Sequence, residues 1–385
     1  MKKLCLAALL LLLLLAGCSG RWIYSDYREI DQMELIQALG ADEERGRITV
    51  TASTGGLPEP VVLRSTSVSM SRAMRQMQDY TSRKYIFFGH TAHLLLGEAA
   101  AEQGVEKYLE HMERSGEMRL NTFLYVVRGG TAQEAISSAG KSGDGVVDLL
   151  TSLEKDVQLM SESHVFTCGE TAEMLAEQGC CLAAAISLVR QEDILAGEDP
   201  LTLSAAGYAI LKDGRLAGYL DPDLARGANL LMGLSGEDIL EVPDGSGGWA
   251  ALRLIRSRVS YLPEYRDREL TGLRIRVKLD CSMDELSPSA DTRDPETREK
   301  LIAGAEELEL ERIRCVLEKS RSLAADFCGI GKQVRAGRPL AFDAAAETWE
   351  ERFPTLPLEA EVSCRLLQTR DKSGTVFPGG REGAA

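Results

Sequence analysis

Residues 273–281 read Leu-Arg-Ile-Arg-Val-Lys-Leu-Asp-Cys, and residues 358–366 read Leu-Glu-Ala-Glu-Val-Ser-Cys-Arg-Leu. Apolar and polar residues alternate in both. Successive side chains of a strand point to opposite faces, so each stretch predicts one face turned to a core and one to water. Between them lies a long helical pattern. Asp294 is its candidate N-cap, Pro295 suits the first helical position, and Ala305, Leu308, Ile313, Val316, Leu317, Leu323, Ala324 and Phe327 recur three and four residues apart. The expectation is one sheet holding both strands, covered by that helix. The helix is expected to continue past Gly329-Ile330-Gly331 and to end before Pro339. Glu306, Glu307, Glu309, Glu311 and Glu318 are read as its solvated side. Phe342–Phe353 reads as a short helix before Pro354 and Pro357 break the chain.

Upstream, Asp213-Gly214 separates the apolar runs 207–212 and 215–220, the signature of a tight hairpin whose central residues need positive φ. A short helix capped by Asp221 follows at 222–234, then a loop at 242–248 and a strand at 249–259. Pro263, within 261–268, marks a boundary. Over the first 190 residues strand and helix patterns alternate. Strands at 33–41 and 47–53 flank the turn-rich 42–46, and 54–60 is a loop. A helix is expected at 68–83, a strand-like run at 85–96, a helix at 98–114 and a strand at 120–127. Helices at 131–139 and 146–161 and a strand at 182–189 complete the series. The class is α+β: three consecutive domains, each a sheet with helices packed on it. Their ranges are 33–195, 200–262 and 265–370, after a signal peptide (1–17) and a tether (18–32). Residues 371–385 form a loose tail.

At the N-terminus, Lys2 and Lys3 precede an apolar run from Leu4 to Ala16. A spanning helix needs about 20 such residues, so this shorter run reads as the apolar region of a signal peptide. Leu15-Ala16-Gly17-Cys18 is similar to the lipobox of bacterial lipoproteins, in which the cysteine thiol accepts diacylglycerol. The plainer alternative is a secretory peptide with an accidental cysteine. Two acyl chains hold a protein stably on a bilayer where one does not.

The chain has 385 residues with 44 Lys+Arg against 59 Asp+Glu, a net charge of −15. That acidity speaks against a nucleic-acid surface and against adsorption to anionic lipid by charge alone. Of nine cysteines, Cys5 leaves with the signal peptide and Cys18 is the lipid acceptor. The remaining seven lack CxxC spacing and read as buried free thiols, with a disulfide as the alternative that an oxidising compartment permits. His90 and His93 lie three apart, which on a strand places them on opposite faces, so no metal and no cofactor is expected. Gly233-Leu234-Ser235-Gly236 falls short of a nucleophile elbow. Gly329-Ile330-Gly331 follows a helix and lacks a third glycine, so it is read as a packing feature. The expectation is a protein that is not an enzyme.

Several local patterns in a fixed order resemble the Ger(x)C family of spore germination lipoproteins, the C subunits of nutrient germinant receptors. They are Arg28-Glu29-Ile30 after the lipid cysteine, Phe87-Phe88-Gly89-His90, and the hairpin 209–220 followed by Arg226-Gly227. Asp326 with Gly329 and Gly331 comes next, then Trp349, Phe353-Pro354 and the last strand. The resemblance runs from Cys18 to about Lys372. It implies three α+β domains and a non-catalytic subunit held by its lipid on the outer face of the cytoplasmic membrane. It further implies assembly with integral-membrane A and B subunits in the spore inner membrane, where sensing of nutrients starts germination. A second reading is another envelope lipoprotein, such as a transporter solute-binding protein. Such a binder needs two similar α/β lobes, and the three unequal segments fit that poorly. A membrane-bound hydrolase lacks its nucleophile or metal constellation.

Overall fold

A computed structural model describes residues 29–55, 60–80, 84–139, 145–159, 161–190, 201–245, 247–267, 269–287, 294–337 and 349–367. The lipobox, Cys18, Arg28 and the tail lie outside these residues.

The strands are β1 (Met33–Leu35), β2 (Ala38–Glu44), β3 (Arg47–Ser53), β4 (Val62–Ser67), β5 (Tyr85–Phe87), β6 (His93–Gly97), β7 (Phe123–Val127), β8 (Cys180–Arg190), β9 (Leu201–Lys212), β10 (Arg215–Leu220), β11 (Asp238–Pro243), β12 (Trp249–Arg266), β13 (Glu269–Leu286) and β14 (Leu358–Leu366). The helices are α1 (Met70–Tyr80), α2 (Glu98–Gln103), α3 (Glu106–Arg114), α4 (Ala132–Ala139), α5 (Val146–Leu159), α6 (Cys168–Gln178), α7 (Pro222–Met232), α8 (Pro295–Ser322), α9 (Ile330–Gly337) and α10 (Trp349–Arg352). The architecture is α+β, as expected.

An eight-stranded sheet has the order β10-β9-β8-β7-β6-β2-β3-β4. Its centre is parallel and its flanks antiparallel. Both faces are covered. Leu94, Leu96, Leu124 and Val126 pack with Met74, Met77 and Tyr108 on one side. Leu95, Tyr125 and Val127 pack with Ile136, Val147 and Leu150 on the other. Burial on both faces explains the continuous apolar runs of β6 and β7.

A four-stranded sheet has the order β11-β12-β13-β14. The two alternating stretches pair in parallel, Leu273 with Leu358 through Cys281 with Leu366. Leu273, Ile275, Val277, Leu279 and Cys281 face a core that includes Leu301, Ala305, Ile313 and Val316 of α8. Asp294 caps α8 through the backbone N–H groups of Glu296 and Thr297.

Several expectations need correction. The expected middle domain, 200–262, is divided between the two sheets. Its first hairpin completes the eight-stranded sheet, because β9 continues the ladder of β8 from Arg190–Leu201 to Cys180–Lys212. Tyr208 and Ile210 of β9 also enter the core of the second sheet, which joins the two bodies. Pro263 is no boundary: β12 runs through it to Arg266 and turns straight into β13. β11 ends its pairing with β12 at Leu254, so among the described residues no strand pairs with the outer edge of β12 at Pro263, where a missing N–H costs no ladder bond. The long helix stops at Ser322. Ala324 and Gly329 take positive φ (46° and 66°), and α9 starts afresh at Ile330. β4, α6 and β11 were not expected at all. The region 98–114 is two helices, broken at Gly104 with φ 129°. Asp221 precedes α7 but makes no side-chain cap; its carboxylate pairs with Arg128 at 2.6 Å.

Candidate functional site

The motif residues of the last third converge. The Asp326 carboxylate accepts from the backbone N–H groups of Ile330 (2.8 Å) and Gly331 (2.7 Å), and from the indole N–H of Trp349 (2.9 Å). It therefore caps α9 and ties α10 to that cap. Gly329 supplies the left-handed backbone that turns the chain into α9, a conformation other residues reach only at a cost. Gly331 lets the indole approach: a Cβ there would lie 2.6 Å from Trp349 Nε1. Phe353 is buried, with its ring 5.4 Å from that of Trp349, and the Pro354 carbonyl accepts from Arg321 Nε at 2.9 Å.

Around this clasp lies a cleft of about 1070 Å³. Its walls come from the eight-stranded sheet at Cys180 and Lys212 and from the second body at Asp326, Lys332, Trp349 and Phe353. Both lysines at its mouth have partners. Lys212 Nζ donates to the Leu323 carbonyl at 2.7 Å, and Lys332 pairs with Glu177 at 2.8 Å. Burial raises Asp326 to about 6 against the pull of its three donors, and burial raises the Cys180 thiol to about 12. What the arrangement does is hold two chain segments against the rim of a sheet. Its carboxylate is spent on backbone and indole donors.

The other motif residues lie apart. Phe88, Gly89 and His90 form the turn between β5 and β6. The Phe88 N–H donates to Glu117 Oε1 at 3.0 Å, and Thr91 Oγ1 donates to the Phe88 carbonyl at 2.7 Å. Gly89 is needed because a Cβ would meet the Phe87 ring at 2.5 Å. His90 is exposed beside Phe87, whereas His93 is buried against Phe123 and Tyr125, and burial lowers its pKa to about 4. Among the described residues no group of three His, Cys, Asp or Glu converges in ligating geometry. Gly227 sits where α7 crosses α8, and its Cβ would lie 3.0 Å from the Arg312 backbone. Glu29 is exposed at the first short turn.

Two features escaped the sequence reading. Asp42 of β2 caps α4 across 90 residues, accepting from the N–H groups of Ala132 (2.7 Å) and Gln133 (2.8 Å). Glu309, assigned to the solvated side of α8, is buried. Its Oε1 accepts from Arg312, which also reaches Asp223 at 2.9 Å, while Oε2 has no hydrogen-bond partner among the described residues. Burial raises Glu309 to about 7, the Arg312 guanidinium opposing. The seven described cysteines are free thiols; Cys168, Cys180, Cys181, Cys281 and Cys328 are buried. Among the described residues no helix is long and apolar enough to cross a membrane.

Two family models match in series. Residues 26–188 match the spore germination protein N-terminal domain, and residues 206–370 match the spore germination B3/GerAC-like C-terminal domain. The chain is 23% identical to spore germination protein KC of Bacillus subtilis (strain 168) over 413 residues, covering 96% of this chain and 97% of that protein. The crystal structure of the GerBC protein has the same fold, with a TM-score of 0.57 at 16% identity. It covers 86% of this chain and 97% of that one. The junction between the two family models falls where β8 passes to β9, within a single sheet.

Proposed function

Since the chain belongs to the Ger(x)C family of spore germination proteins, we propose that it is the lipid-anchored C subunit of a nutrient germinant receptor. In this reading Cys18 carries diacylglycerol, and the body stands on the outer face of the spore inner membrane. It assembles there with integral-membrane A and B subunits and catalyses no reaction. The observation that carries the reading is end-to-end similarity: both family domains follow in order, and the alignment to protein KC leaves almost nothing of either chain uncovered. The clasp at Asp326 supports a scaffold role, since its polar groups are consumed in holding the chain together.

The test is genetic and chemical together. Spores lacking this chain should fail to respond to one class of nutrient while still germinating with a non-nutrient trigger. The Cys18→Ala protein should take up no acyl label and should be only loosely held at the membrane. Normal nutrient responses in the deletion strain would refute the receptor role, and undiminished acyl labelling of Cys18→Ala would refute the anchor.

A further inference from the structure

The outer face of the four-stranded sheet is open to solvent. Pairing across β12, β13 and β14 sets its side chains in rows: Arg256–Asp280–Arg365, then Arg258–Lys278–Ser363, then Ser260–Arg276–Glu361. The opposite side chains, Val259, Ile275, Val277, Leu279, Val362 and Cys364, belong to the core. The three rows thus carry five cations and two carboxylates, on a chain whose net charge is −15. The carboxylates are already shared. Asp280 lies 2.9 Å from Arg365 and 4.0 Å from Arg258, and Glu361 lies 3.3 Å from Arg276. Arg256 and Lys278 are exposed, and neither has an ion-pair partner among the described residues. Arg256, Arg258, Lys278, Asp280, Ser363 and Arg365 border a shallow depression of about 360 Å³. The next row, Leu262–Arg274–Glu359, is balanced, and beyond Arg256 the next cation, Arg253, is paired with Asp284 and Glu237, so the positive charge is concentrated in these three rows.

We propose that this face docks on an anionic phospholipid membrane, with Arg256, Arg258, Arg276, Lys278 and Arg365 against headgroup phosphates. A sheet face three strands wide presents several cations at once to a layer of headgroups, and guanidinium groups suit phosphate geometry. The anchor proposed at Cys18 supplies proximity, and to that extent the inference rests on it. The eleven residue-to-residue steps from Cys18 to Glu29 reach about 40 Å at most when fully extended. The acidic remainder of the chain is repelled by an anionic surface and the basic stretch of this face is attracted. Within about 10 Å of the bilayer this difference selects one orientation. A net acidic chain therefore adsorbs through a local patch that its overall charge conceals.

The test uses the mature chain, from position 18 onward, carrying Cys18→Ala, so that neither an acyl chain nor the apolar run Leu4–Ala16 contributes in any arm. It is sedimented with vesicles of phosphatidylcholine alone or with 30 mol% phosphatidylglycerol, at about 0.1 M salt. Each basic residue near such a surface is worth about five-fold in partitioning, so Arg256→Gln with Lys278→Gln should weaken phosphatidylglycerol-dependent binding about thirty-fold. The equal charge change Arg72→Gln with Arg75→Gln, at exposed positions on α1, should have little effect. Binding indifferent to phosphatidylglycerol, or an equal loss in both double variants, would overturn the proposal. So would tighter binding to polyglutamate than to the vesicles, lost in the first double variant, which would assign the face to an acidic protein. None of these outcomes depends on acylation, which the labelling of Cys18 tests alone.

Discussion

Replacing Glu309 with glutamine should stabilise the protein at pH 8 and leave its stability unchanged at pH 4. Glu309 is buried on α8, with one carboxylate oxygen on Arg312 and the other without a hydrogen-bond partner among the described residues. Asp223 and Asp238 face the same cluster and oppose ionisation further. The folded state therefore binds the Glu309 proton more tightly than the unfolded chain does, about pH 7 against the ordinary 4.5. At 1.36 kcal/mol per pH unit, the gap is worth about 3 kcal/mol. Because the folded value is the higher one, this contribution is fully present below about pH 4.5. It is lost as the pH rises through 7. Glutamine has no proton to lose and retains the neutral form's stability throughout. Its amide nitrogen stands where the protonated acid carries its O–H, and neither finds an acceptor there among the described residues. The expected gain at pH 8 is therefore the full difference, about 3 kcal/mol. Urea unfolding of both proteins between pH 4 and pH 8 measures the difference. Asp326, also raised, adds the same slope to both curves and cancels. A Glu309→Gln protein less stable than the parent at pH 8 would refute the reasoning. It would mean that the Arg312 ion pair outweighs the desolvation of the carboxylate.

Ile275→Asp should unfold the second sheet or lower its thermal midpoint by more than ten degrees, because a fully buried position would receive an unpaired carboxylate worth several kcal/mol. Arg276→Gln, its neighbour on the outer face, loses only an exposed pair and should shift the midpoint by about a degree; equal midpoints would show the register to be wrong. Gly331→Val should push the Trp349 indole off Asp326, costing about 2–3 kcal/mol and moving tryptophan emission to the red. Unchanged emission would mean that α9 can move aside.

The two alternating stretches were legible because a period of two with one apolar face has few other uses, and the structure pairs them as neighbours. Their parallel direction followed only from coordinates, since alternation is blind to strand order. The start of α8 was legible through Asp294 and Pro295, both read locally. The placement of Glu309 was not. α8 is packed against α7 as well as against β14 and β11, so the buried arc is wider than its apolar stripe and takes in Glu309, Arg312 and Ser320. β4 was missed for a related reason: of its inward positions Leu63, Ser65 and Ser67, two are serines, which carry no apolar signal. α6 was within reach, since Thr167 and Glu170 form a capping box with the Thr-x-x-Glu spacing. The motif at Asp326 was visible as a string of residues, but the indole that completes it arrives from 23 positions away.

The parallel pairing of β13 with β14 also sets an order of events. Leu273 meets Leu358 across 85 residues, so the contact closes late, after α8 has formed and found its seat. Until then β13 presents a bare edge with Ile275, Val277 and Leu279 behind it. The alternation that makes the finished sheet stable makes the waiting sheet adhesive to other chains. Its outward Arg274, Arg276 and Lys278 lie along that same edge, and their mutual repulsion between copies guards the strand until its own last segment arrives.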